Sequence, residues 1–204
     1  LGDGPSSPII ACLWARTVTF PNPACGIAMP LVRSWWLGKK RGNEAYVVPE
    51  IVADGTVPAG QAVRFVLKHG RAGGPSAATD GTVGRNGARC VACETSVELA
   101  FVRAEGRAGR LGQQLMGVVA GGDRKRTYLA ATEDQIVAAA VDRPDDAPDA
   151  AIPPQAPSFR VQAYGMTQWS DLFTNRQLIA LTTLADLVPD ARAKVIADGG
   201  DPAY

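Results

Sequence analysis

Glycine and proline punctuate this chain so densely that its regular elements must be short. Its 204 residues hold 22 glycines and 15 prolines, about 18% of the chain against an average near 12%. Apolar residues make up 46%, too many for a chain that stays disordered. The length suffices for one domain, or one and a half, with a real core. A loop-rich protein with short strands is the expectation.

The pattern along the chain divides it. Residues 12–20 have strand character and run into a Pro21-Asn22-Pro23 turn. Residues 31–37 form a second strand, Lys39-Lys40-Arg41-Gly42-Asn43 a basic turn, and residues 45–48 a return strand. Val63, Phe65 and Leu67 alternate with Arg64, Val66 and Lys68, the period of a half-buried strand. Glycines dominate residues 69–87, which read as a long mobile loop. Strand patterns resume over 82–90, 97–103 and 115–120, and Gly121-Gly122-Asp123-Arg124-Lys125 turns the last of these into a hairpin with 126–130.

Thr132-Glu133-Asp134-Gln135 then fits a capping box opening a short helix that ends near Ala140. The acidic, proline-rich segment 142–158 reads as a solvated tether. Thr174-Asn175-Arg176-Gln177 is a second capping box, followed by Leu178, Leu181, Ala185 and Val188 at helical spacing. Pro189 should break or restart that helix. The predicted class is α+β: a β-rich domain over 8–130, a short helix over 131–141, a linker over 142–158 and a helical tail over 159–204.

Several functions lose their raw material. One histidine, His69, leaves nothing for histidine-ligand clusters or His-dependent triads. A formal net charge of +1 argues against an all-basic nucleic-acid coat, while leaving local patches open. No apolar run approaches the roughly 20 residues of a membrane helix, and no secretory signal pattern is visible. A cytoplasmic setting is expected. The chain opens on Leu1 rather than Met, as a fragment or processed product would.

Three cysteines carry the sharpest chemistry. Cys90-Val91-Ala92-Cys93 is a C-x2-C pair, and Cys25-Gly26 follows the Pro-Asn-Pro turn. Thiolates two residues apart on a tight turn can chelate one tetrahedral zinc, which a second turn completes. Phe20 stands where a partner for Cys25 is expected. Cys12 lies about 26 Å from Phe20 along an extended strand at about 3.3 Å per residue, and His69 sits beside the glycine loop, so neither is a ready fourth ligand. A three-thiolate site completed by water and a set of small buried metal-free cysteines both remain open. A disulfide is disfavoured in a reducing compartment.

Basic residues gather in three places: Lys39, Lys40 and Arg41; Arg103, Arg107 and Arg110; and Arg124, Lys125 and Arg126. Arginines near glycines can approach phosphates closely and release counterions, and Gln113 and Gln114 add amides able to meet base edges. Solvated turns are the plain alternative. Of Trp35 and Trp36, adjacent residues of a strand, at most one can stack on a base, the other packing in the core. Glu105 between Arg103 and Arg107 reads as an ion pair organising its loop. The 178–188 stripe reads as a core or docking face.

Several motifs together resemble one family. Trp14-Ala15-Arg16-Thr17-Val18, Pro21-Asn22-Pro23-Ala24-Cys25-Gly26 and Pro30-Leu31-Val32-Arg33-Ser34-Trp35-Trp36-Leu37 are similar to the zinc-ribbon region of large bacterial adenine-specific DNA methyltransferases. Further matches run from Val102 to Arg110, over Tyr164-Gly165-Met166-Thr167 and from Asp171 to Leu178. The likeness departs at Phe20, where the family commonly has its first zinc cysteine. It implies a parent enzyme, of the restriction-modification kind, that moves a methyl group from S-adenosylmethionine to an adenine amine taken out of the stack. Asn22-Pro23-Ala24 and Val119-Ala120-Gly121-Gly122 do not supply that enzyme's catalytic and cofactor motifs. The resemblance thus implies a non-catalytic accessory segment that binds zinc through Cys25, Cys90 and Cys93, meets DNA, and docks on a catalytic domain of the same parent chain. A purely structural insert is the alternative, and an independent metal enzyme is disfavoured.

Overall fold

A computed structural model gives the fold; it describes residues 7–122, 125–155 and 160–201. The chain is mixed α and β, with most strands in antiparallel sheets and a long C-terminal helix. It divides into two compact units, Leu1–Ile136 and Val137–Tyr204.

In the first unit, strands β1 (Ile9–Thr19), β2 (Ala28–Leu31), β8 (Gly112–Gly122) and β9 (Lys125–Leu129) form a sheet in the order β2-β1-β8-β9. Strands β3 (Trp36–Gly38), β4 (Ala45–Ala53) and β5 (Gln61–His69) form a second, and β6 (Gly87–Arg89) with β7 (Ser96–Glu98) a third. Alternation holds at the centre of β1, where Ala15 and Thr17 are buried and Arg16 between them faces water; at its end Val18, on the face of Arg16, is buried too. Ala15, Val32, Trp35 and Val47 make a buried cluster, with Leu37, Phe65, Leu67, Val91 and Met116 against it. The first two sheets and the 32–35 link therefore share one core.

Several sequence expectations change. Residues 31–37 are not one strand: β2 ends at Leu31 and β3 begins at Trp36. Between them the chain is held by the 80–82 segment. Asp80 accepts from the Trp35 amide at 2.6 Å and the Ser34 hydroxyl at 2.8 Å, and buried Thr82 accepts from the Val32 amide at 3.0 Å. The glycine-rich stretch is thus tied down at its middle. Residues 97–103 do not stay extended. After β7 they become helix α1 (Leu99–Arg107), whose Val102 is buried; a helix presents that one apolar residue to the core and leaves Arg103 and Arg107 in solvent.

The hairpin expected near residue 120 is present, with Val118 opposite Leu129. The Thr132 box closes as expected, the Thr132 amide meeting Gln135 at 3.0 Å, and opens α2 (Glu133–Ala138).

In the second unit, helix α3 (Asn175–Ala197) starts at the Thr174 capping box and contains Pro189 without a break. Another change lies here. The proline forfeits only its bond to the carbonyl of Ala185, and Ala185 and its neighbours are exposed, so water can satisfy that carbonyl. The acidic stretch before the helix does not run free. Ile152 is buried, its amide bonds the Thr167 carbonyl at 2.8 Å, and Ala151 bridges to Gln168. Among the described residues no helix is long and apolar enough to cross a membrane.

Candidate metal centre and basic end

The two cysteine turns come from different sheets. One joins β1 to β2, the other joins β6 to β7. In the second, the Cys90 amide bonds the Thr95 carbonyl at 2.9 Å, the Glu94 amide returns to the Cys90 carbonyl at 3.0 Å, and the Ala92 amide donates to the Cys90 sulfur at 3.4 Å. Glu94 carries φ of 60°, a left-handed conformation costly for a non-glycine residue. Arg89 holds it there, its guanidinium bonding the Glu94 carbonyl at 3.1 Å and carboxylate at 2.7 Å.

The first turn repeats this scheme. The Gly26 amide returns to the Asn22 carbonyl at 2.8 Å and the Ala24 amide donates to Asn22 Oδ1 at 3.0 Å. Gly26 has φ of 53°, so glycine serves where the second turn needs a clamp. The Phe20 amide closes the loop on the Ile27 carbonyl at 2.9 Å.

These turns bring Cys25, Cys90 and Cys93 together, their sulfurs all within 4.8 Å of one another. Cys25 and Cys90 Sγ stand 3.8 Å apart, both buried, while Cys93 is exposed. Two thiolates bound at about 2.3 Å to one tetrahedral ion lie about 3.8 Å apart, so the arrangement fits a metal ion with little rearrangement. All three thiols are free. Burial pushes the Cys90 thiol up to about 11, against the pull of the Cys93 and Ala92 amides. Cys93 moves the other way: burial raises it, but the Thr95 amide and hydroxyl, with Cys25 and Cys90, outweigh that and leave it lowered. A cation would replace the protons that burial retains. Cys12 is exposed on β1 and outside the cluster, as its distance along the strand predicts. His69, exposed at the end of β5, is not in it either.

The basic residues redistribute. Lys39, Lys40 and Arg41 occupy the exposed turn from β3 to β4, and the Asn43 side-chain amide donates to the Arg126 carbonyl at 2.9 Å, 83 residues away. A side chain at Gly38 would run into the Tyr128 ring, so glycine there lets β9 lie close. Two clusters of the sequence thus meet at one end of the unit. Lys68, His69 and Arg71, exposed where β5 ends opposite Ala45, join them; the sequence offered strand alternation for Lys68 and the glycine loop for the other two, with no hint of a common end. Lys39 pairs with Asp80 at 3.6 Å. Among the described residues Lys40, Arg41 and Arg126 form no ion pair. Arg124 lies outside the described residues, and Lys125 is placed only as the first residue of β9.

Arg103 and Arg107 sit on α1, and Arg110 follows it. Arg110 grips Glu105 with both guanidinium arms, at 2.6 and 2.8 Å, the ion pair the sequence predicts for Glu105, though with Arg110 as partner. Arg103 and Arg107 are also engaged within the protein. Gln114 is withdrawn from any base-reading role, its amide donating to the Val63 carbonyl at 2.6 Å across the two sheets. Of the two tryptophans, Trp35 is the one packed in the core, buried against Phe65, while half-buried Trp36 packs on Tyr46 with its N–H on the Pro75 carbonyl at 3.2 Å. No protein-family model, no curated protein and no solved structure matches the chain. The methyltransferase likeness stands on the sequence motifs alone.

Proposed function

We propose that this chain is a zinc-clipped, β-rich accessory module that grips DNA through its basic end, serves an adenine-specific DNA methyltransferase, and carries no catalytic step of its own. The observation that supports DNA contact is the Asn43–Arg126 hydrogen bond, which gathers the Lys39-Lys40-Arg41 turn and β9 into one cationic surface. Such a surface neutralises phosphates without reading sequence. The association with a methyltransferase rests on the motifs from Trp14 to Leu178. S-adenosylmethionine belongs to the parent enzyme in this reading, and calorimetry should find no binding of it to this chain.

Zinc is the metal of choice because three soft thiolates at tetrahedral spacing suit a borderline-soft ion without redox chemistry. Its role is to join the β1–β2 and β6–β7 turns, which no strand pairing connects. The test is fluorescence anisotropy with a labelled duplex over a range of salt. The expected result is affinity that falls steeply as salt rises and weakens by about two orders of magnitude when Lys39, Lys40, Arg41 and Arg126 become alanine. An absence of binding at low salt sinks the proposal.

A docking role for the second unit is favoured by α3. Leu184, Leu187, Val188 and Val195 on it are each more than half exposed, an unusual cost in water for a helix without a partner. A catalytic domain of the same parent chain is the partner this reading assigns.

A further inference from the structure

The metal site has three evident ligands, and the structure narrows what can hold the fourth position. Both turns can be aligned from their hydrogen bonds. Counted from the bond that closes each loop, Phe20 to Ile27 and Cys90 to Thr95, each pair ending two residues past a cysteine, Phe20 matches Cys90. Counted from the tight turn, with its return to the first carbonyl and its left-handed fifth residue, Asn22 matches Cys90. Those two residues are the candidates that the fold itself nominates.

Phe20 is buried at 3% exposure and its phenyl ring has no donor atom. Asn22 is exposed and its Oδ1 already accepts the Ala24 amide. A neutral amide oxygen is also a weak, hard donor beside three thiolates. Among the described residues no histidine, carboxylate or further cysteine joins the group. The nearest acidic residue in sequence, Glu94, is spent on Arg89. Cys93, by contrast, is exposed, so the cluster reaches solvent on that side.

We infer that the metal bound here keeps one exchangeable position, held by water and open to a small neutral donor of the imidazole class. This rests on the reading that Cys25, Cys90 and Cys93 bind a metal. Three thiolates around a divalent ion leave one negative charge over, which favours a neutral fourth ligand above an anion. Neither residue that the turns nominate brings a free donor, and the exposure of Cys93 gives the position access to solvent. The site is then both a clip between two turns and a place where an outside ligand can land.

The test uses the full chain, reduced, with cobalt(II) as a spectroscopic probe and zinc for X-ray absorption. Titration with imidazole should shift the cobalt d–d bands of the unaltered protein. Phe20→Cys should abolish that shift and tighten zinc binding on the order of tenfold or more, since outer-shell partners alone are worth that much. Because Phe20 is in the core, the zinc edge of the unaltered protein supplies an independent measurement. It should show three sulfurs at about 2.3 Å and one light atom at about 2.0–2.1 Å.

Four sulfurs at that edge, or a cobalt spectrum indifferent to imidazole, overturn the inference. So does an Asn22→Ala variant that loses the light atom, because the amide would then be the ligand. Failure to bind either metal defeats the cysteine reading itself, and the open position falls with it.

Discussion

The two arginine-rich regions of the first unit look alike in sequence and differ in what surrounds them. On and after α1, Arg110 is locked to Glu105 and Arg103 and Arg107 are engaged within the protein. At the end formed by the β3–β4 turn and β9, the cations converge from segments 83 residues apart, with Asp80 neutralising part of the charge of Lys39. The lesson concerns availability. A guanidinium already bonded through two arms must surrender that pair before it can meet a phosphate, whereas exposed, uncommitted cations need only release counterions. Density of positive residues along a chain therefore says little about where a polyanion binds.

The sharpest attempt to break this contrast is to remove each region in turn. Replacing Lys39, Lys40, Arg41 and Arg126 by alanine should weaken duplex binding by about two orders of magnitude in low salt and flatten its logarithmic salt dependence by about three to four. Replacing Arg103, Arg107 and Arg110 should change affinity less than about threefold, the scale of a peripheral charge. Anisotropy titrations that reverse this order would show the α1 region to be the contact surface.

Metal removal comes next. On the proposed metal reading, chelation should speed amide exchange at Gly26, Ala92 and Glu94 on the order of tenfold or more, since the clip between the turns would be lost. It should leave α1 amides unchanged; uniform acceleration by exchange mass spectrometry would mean the metal supports the whole unit. A smaller effect should follow Glu105→Gln. Releasing Arg110 should raise duplex affinity about two- to threefold, the worth of one exposed ion pair. An unchanged affinity would show that the pair is not what keeps this region from DNA.

The smallest expected effect is with pH. The Arg110 guanidinium, hydrogen-bonded to Glu105, holds that carboxyl below its ordinary 4.5. A carboxyl depressed in the folded state adds stability above its ordinary value and loses it as pH falls through the lower folded one. The end of α1 should therefore loosen only below about pH 4.5, seen as changes in the NMR shifts of its last-turn amides. Loosening near neutrality would exclude the ion pair as the cause.

Local chemistry was legible in the chain itself. Apolar alternation marked β5 and strand character several others, the Thr132 and Thr174 boxes marked helix starts, and the C-x2-C spacing with Cys25 singled out the three sulfurs that meet. Strand patterns, caps and the C-x2-C turn depend on neighbours within a few residues, so the amino-acid order carries them; the approach of Cys25, 65 residues before Cys90, does not. What it did not carry depends on distant partners. Residues 97–103 turned helical once Val102 had a core to enter, and residues 32–35 left the strand because Asp80 and Thr82 bond their backbone. The meeting of the Lys39 turn with Arg126, and the burial of Cys25 and Cys90 beside an exposed Cys93, were decided by tertiary structure. Burial and pairing between remote segments are properties of where the chain folds back, and no local spacing encodes them.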